Sequence, residues 1–152
     1  MAKAWTLLFL RVSMGWLLVI WGVNKIVNVE HSVAVANHYY FGFLAMEAAL
    51  PIAGIFQVLI GLLVVIGLAR RWVYPIQLLF NGGSLVAVLP SVIDPWGWIF
   101  EGSNVFFYPS LIIFASAILL IVFRDQDQLA WDARRQARRN RRKTWTASRC
   151  SH

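Results

Sequence analysis

The chain reads as long apolar blocks separated by short polar ones. Four blocks, about 5–27, 45–69, 72–93 and 105–123, have close to the ~20 residues that a hydrocarbon core requires. Each is therefore read as a membrane-spanning helix. The third is the least apolar, because Gln77, Asn81, Gly82, Gly83 and Ser84 interrupt it. The stretch from Glu30 to Leu44 is too polar to span and too apolar for a free loop. It is expected to form a short helix or re-entrant segment over the outer mouth, between spans one and two. Pro51 and Pro75 fall about one turn into spans two and three, where proline is tolerated. Pro90 is expected to close span three, and Pro109 lies early in span four. The expected architecture is an all-α integral membrane protein: a four-transmembrane-helix bundle over residues 1–123, followed by a tail over 124–152.

The first block is apolar but not uniformly so. Arg11, Gly15, Gly22 and Lys25 fall within about 80° of one another on a helical wheel. A charge at mid-membrane costs roughly 2.5 kcal/mol or more. The stripe must therefore face protein, water or an opposite charge. On the second block, Glu47, Gly54 and Gly61 share one face, with Gln57 beside them. The seven-residue spacing of Gly15 to Gly22 and Gly54 to Gly61 marks close-packing faces in both helices.

Composition sharpens this picture. The chain has 152 residues, is 59% hydrophobic and only 14% charged, and has a mean hydropathy of +0.63. A soluble domain has roughly 25% charged residues. The net charge of +7 is not spread evenly: nine of the fourteen Lys and Arg lie from Arg124 to Arg149. With four spans, those nine share a side with Lys3, Arg70 and Arg71. The bias places both termini in the cytoplasm. Ala34-Val35-Ala36 has the pattern of a leader-cleavage site, but Asn24, Lys25, Asn28, Glu30 and His31 separate it from the apolar run. The first block is therefore expected to be retained. The tail is expected to begin as a helix, with Leu129 and Trp131 on the membrane surface, and to end disordered. Its arginines suit anionic lipid headgroups, at about 1 kcal/mol each, better than nucleic acid.

Candidate chemistry is confined to a few residues. Arg11, Lys25, Glu47, Gln57, Gln77 and Asn81 are the intramembrane polar set. Arg11, Gln77 and Asn81 lie at similar depth from the inner face, about 8–13 Å. Lys25 and Glu47 lie near the outer ends of adjacent antiparallel helices and form a candidate ion pair, with Asp94 and Glu101 as competitors. Two readings of this set stay open. One is interhelical glue, at about 0.6 kcal/mol per contact. The other is a pocket whose cations hold the oxygens of a quinone or an anionic group. His31 and His38 are weak candidates for a metal or haem ligand. On a helix they stand about 10.5 Å apart and cannot share one ion. The single cysteine, Cys150, excludes an intrachain disulfide and a cysteine-cluster metal site. No nucleophilic triad and no phosphate-binding glycine loop is present, so no catalytic residue is assigned.

The run LLFLRVSMGWLLVIWGVNKI, with Arg11, Gly15, Gly22 and Lys25 in place, resembles the opening of the DoxX family of small four-helix bacterial membrane proteins. The run LPIAGIFQVLIGLLVVIGLARRW resembles that family's second, Gly- and Leu-rich helix, ended by a basic pair. The likeness covers about Leu7 to Leu89. It implies a bacterial inner-membrane location and, for some members, service as a subunit of a quinone-linked system such as thiosulfate:quinone oxidoreductase. Where the family often carries an acidic residue in span two, this chain has Gln57. The expectation is thus an accessory, non-catalytic subunit of a membrane redox complex, with other membrane subunits as partners. The alternatives are a self-sufficient quinone-interacting module built on Arg11, Lys25 and Gln57 or Asn81, and a small oligomeric transporter.

Overall fold

The computed structural model describes residues 2–39, 49–101 and 103–149. Among these residues the chain is helical, with no strand. Its helices are α1 (Ala2–Val27), α2 (Val29–Tyr39), α3 (Ala49–Ile66), α4 (Arg70–Ala87), α5 (Leu89–Ile93), α6 (Pro109–Val122) and α7 (Trp131–Arg149). Short 3-10 turns at Val105–Phe107 and Arg124–Gln126 bracket α6. Among the described residues, three stretches are long and apolar enough to cross a membrane: Ala2–Val27, Ala49–Ile66 and Val105–Val122. Helix α4 is as long as α3. Its two leading arginines and its interior Gln77, Asn81 and Ser84 make it less apolar.

Helices α1, α3, α4 and α6 share one core, built from Met14 and Leu18, Ile60 and Val64, Val73 and Tyr74, and Ala117 and Leu120. The outward positions are apolar too. Phe9, Ile52, Leu79, Val86 and Val122 are all well exposed. Apolar surface on this scale is lipid-facing in a membrane protein and an aggregation hazard in a soluble one.

The glycine faces of α1 and α3 meet. A Cβ on Gly15 would stand 2.7 Å from the carbonyl oxygen of Gly61, and one on Gly61 would stand 2.7 Å from that of Gly15. Gly22 and Gly54 repeat the arrangement at the same 2.7 Å. The residue pairing runs in opposite directions, so the helices are antiparallel and their backbones touch at two points. Only hydrogen fits at either crossing.

Helix α3 ends in a Schellman motif. The Gly67 N–H reaches the Val64 carbonyl at 3.0 Å, and the Leu68 N–H reaches that of Leu63 at 3.1 Å. Gly67 supplies the left-handed φ of +77°.

Three expectations change in detail. The predicted span over 72–93 is interrupted at Val88, where α4 ends and α5 begins. Pro90 lies in the first turn of α5 rather than closing the span; it has no N–H to bond back to α4, and its ring disfavours α-helix before it. The predicted short segment after span one is helical over Val29–Tyr39, and residues 40–48 lie outside the described part. The tail does not leave the core at once. Asp127 is 2% exposed and Ala130 is fully buried, because residues 124–132 fold back against the helix ends. Helix α7 then runs to Arg149, past the point where the sequence pattern predicts loss of order. Ala, Arg and Gln are good helix formers, and Asp132 stands in the first turn.

Candidate functional site

The polar residues of the core form two separate knots and one unpartnered pair. At one end, Arg11 Nη1 donates to Asp127 Oδ2 at 2.6 Å, with both side chains at most 3% exposed. Tyr74 of α4 points its hydroxyl at the same oxygen, 3.5 Å away. Arg70 Nη1 donates to the carbonyls of Arg124 and Asp127, the latter at 3.2 Å. Asp132 completes the knot. Its carboxylate accepts from the Arg70 backbone N–H at 3.1 Å, and its own N–H donates to the Gly67 carbonyl at 3.3 Å. That carboxylate satisfies an N–H in the first turn of α4, whose N-cap residue Ala69 makes no side-chain cap. Ala130 lies directly over Gly67. A Cβ at Gly67 would meet Ala130 Cβ at 2.8 Å and Arg11 Nη1 at 2.7 Å.

At the other end of α1, Lys25 Nζ donates to Gln57 Oε1 at 2.9 Å, beside the Gly22–Gly54 crossing. Glu47, the expected partner of Lys25, lies outside the described residues. Arg11 and Lys25 are fourteen residues apart, so about 21 Å of helix separates the two knots. The stripe therefore does not converge on one pocket. Gln77 and Asn81 are 1% and 2% exposed on the inward face of α4, and neither amide has a protein partner.

Asp127 was not a candidate in the sequence because it sits in a stretch that reads as solvated tail. One signal pointed to it. A buried arginine needs a counter-charge, and the acids available on the basic side are Asp125, Asp127 and Asp132. Asp125 serves only an exposed pair with Arg124, at 3.4 Å. Just after α5, Asp94 accepts from the backbone N–H groups of Ile99 at 2.6 Å and Phe100 at 2.9 Å. Those donors hold its carboxyl below the ordinary carboxylate range. The loop they close stacks Trp96 on Trp98, both strongly exposed. His31 and His38 occupy exposed positions on α2, and the described residues contain no cluster of three metal-binding side chains.

The model of the DoxX family matches residues 6–89, more than half of the chain. The chain belongs to the DoxX family. It is accordingly a membrane protein, embedded through its apolar helices. No curated protein and no solved structure matches it. The match runs from α1 to the start of α5 and includes Arg11, Lys25, Gln57, Gln77 and Asn81. Asp127 and Asp132, which bond to Arg11 of α1 and to Arg70 of α4, lie beyond it.

Proposed function

We propose that this DoxX-family chain is an accessory, non-catalytic subunit of a quinone-linked membrane redox complex. In this reading α4 is the third of four spans, both termini are cytoplasmic, and the membrane is the bacterial inner membrane. The observation that carries the non-catalytic role is how the two α1 cations are used. Arg11 is neutralised by Asp127 and Lys25 is bonded to Gln57, so both residues tie helices of the chain to one another. A cation already held at 2.6 Å in a dry site is poorly placed to bind a substrate oxygen, because breaking a buried pair costs about 3–5 kcal/mol. The redox setting comes from the family likeness.

Helix α7 extends the cytoplasmic face, and its Arg134, Arg135, Arg138, Arg139 and Arg141 suit anionic headgroups at the membrane surface. Purification from native membranes in mild detergent tests the proposal. A stable larger complex containing a redox subunit is the expected result. A chain that always runs alone, or one that carries quinone and turns it over unaided, contradicts it.

A further inference from the structure

The apolar surface does not stop where the helices do. Residues 95–108, which join α5 to α6, carry one charge, Glu101, and six aromatic side chains. Trp96, Trp98, Ile99 and Phe106 are all strongly exposed, Trp98 at 82% and Phe106 at 84%. The loop lies away from the Arg11–Asp127 bond. Helix α4 starts beside that bond, where Arg70 donates to the Asp127 carbonyl, and α6 ends beside it at Val122. The loop joins the far ends of the two. Its flanks belong to the lipid-facing surface: Ile93 of α5 and Ile112 of α6 point outward. A stretch long and apolar enough to cross a membrane begins within it, at Val105.

An irregular segment can enter a layer poor in water only if its backbone N–H groups have other partners. Here side chains supply them. Asp94 accepts from Ile99 and Phe100, Ser91 Oγ accepts from the Asn104 N–H at 3.2 Å, and Asn104 Oδ1 accepts from the Phe106 N–H at 2.9 Å. The Ser91 bond also ties the end of the loop to α5, so the loop stays close to the helix ends. Asp94 and Ser91 are buried, whereas the rings point out. The polar groups are thus spent on the backbone, and the surface left over is aromatic.

Water is a poor neighbour for a contiguous apolar patch of this kind. The hydrocarbon centre is a poor one for the exposed Glu101 carboxylate. Tryptophan and tyrosine, with an apolar ring and one polar N–H or O–H, favour the boundary between the two. Trp96 and Trp98 stack with centroids 5.7 Å apart, so both rings sit at one depth.

We propose that the α5–α6 loop is an interfacial anchor, its aromatic face seated in the lipid headgroup–acyl boundary at the end of the bundle away from Asp127. The anchor fixes the depth at which α4, α5 and α6 sit, whatever complex the chain serves.

Nitroxide accessibility in lipid vesicles tests this. In a Cys150→Ser background, spin labels are placed on Ile99→Cys and on Phe106→Cys, which leave Asp94 and both tryptophans intact. Collision rates are read with oxygen, which partitions into lipid, and with a nickel chelate, which stays in water. Lipids carrying a nitroxide at the headgroup or deep in the acyl chain calibrate both. The expected result at both positions is a nickel rate at least about threefold below that of the headgroup nitroxide, with an oxygen rate below that of the deep one. A nickel rate equal to the headgroup nitroxide's places the loop in water and overturns the proposal. An oxygen rate equal to the deep nitroxide's places it in hydrocarbon and also overturns it. Low rates with both reagents mean that a protein surface, such as a second copy of the chain, covers the loop, and overturn it as well.

A second measurement keeps every side chain at its position. Fluorotryptophan is incorporated into the chain, and the Trp96 and Trp98 fluorine resonances are assigned by their loss in Trp96→Phe and Trp98→Phe. Both should broaden together, and more with a nitroxide lipid labelled near the headgroup than with one labelled near the chain end. Broadening by neither lipid, or more by the chain-end label, overturns the proposal. If the spin-labelled variants fail to fold, this measurement decides alone.

Discussion

Replacing Asp127 with alanine removes the counter-charge of Arg11. The guanidinium would remain at 2% exposure, held under the α3–α4 turn by Gly67 and Ala130, without its ion-pair partner. Breaking a buried pair in this way costs about 3–5 kcal/mol. The Tyr74 hydroxyl also loses its acceptor, adding about 0.5–1.5 kcal/mol. Relaxation that lets Arg11 reach water would recover part of this, so a loss of about 3 kcal/mol is expected. The neighbouring Asp125→Ala is the internal control. Its pair with Arg124 is 35% and 87% exposed, so its loss should stay within about 1 kcal/mol. Arg11→Met combined with Asp127→Leu removes both charges together and should fall far short of the sum of the single losses. Reversible unfolding in mixed micelles of these variants, and of Arg11→Met and Asp127→Leu singly, gives all five values. Limited proteolysis adds a structural readout, because Asp127→Ala should free the 124–132 segment for cleavage. If Asp127→Ala and Asp125→Ala cost the same, the ion pair does not hold the segment and the reasoning fails.

The remaining predictions concern the backbone crossings and the loops. Gly22→Ala places a methyl group 2.7 Å from the Gly54 carbonyl, and the α1–α3 pair must part. A loss of about 1–3 kcal/mol is expected, whereas Gly83→Ala meets nothing within 4 Å and should be neutral or stabilise by up to about 1 kcal/mol. Gly67→Ala combines a left-handed φ with contacts to Arg11 and Ala130 and should cost about 2 kcal/mol or more, read in the same unfolding assay. The Asp94 carboxyl is depressed in the folded chain, so its stabilisation of the 94–100 loop is fully present above the ordinary carboxylate value of roughly 3.9. That stabilisation is lost as pH falls through the lower folded value. Fluorescence from Trp96 and Trp98 should report the change, and Asp94→Asn should abolish the transition.

Much of the helical layout was legible because periodicity carries it. The stripe of Arg11, Gly15, Gly22 and Lys25 marks the inward face of α1, and the two seven-spaced glycine pairs mark packing faces that meet in the structure. Gln77 and Asn81 interrupt an apolar run at membrane depth, where a polar side chain must turn away from lipid, and they are buried. Other features were not legible. The Arg11–Asp127 bond joins residues 116 positions apart, and no local pattern distinguishes Asp127 from its solvated neighbours. The bond of Lys25 to the neutral Gln57 is not one that depth and charge single out. The interruption at Val88 was masked by an apolar run that continues through it, so proline geometry had to be weighed against hydropathy. The remote cap of α4 by Asp132 is tertiary, and helix-boundary rules look only at adjacent residues.

The central claim is that the α1 cations join helices and do not bind substrate. The most direct test replaces both of their pairings with apolar residues, Arg11→Met with Asp127→Leu and Lys25→Met with Gln57→Leu, in the chain expressed in its native membrane. The complex is then purified in mild detergent and assayed for quinone reduction. The account predicts that the quadruple variant still assembles with its partners and that quinone reduction per assembled complex is retained. A variant that folds and assembles but has lost quinone reduction would contradict it, and would make Arg11 or Lys25 a ligand-binding residue.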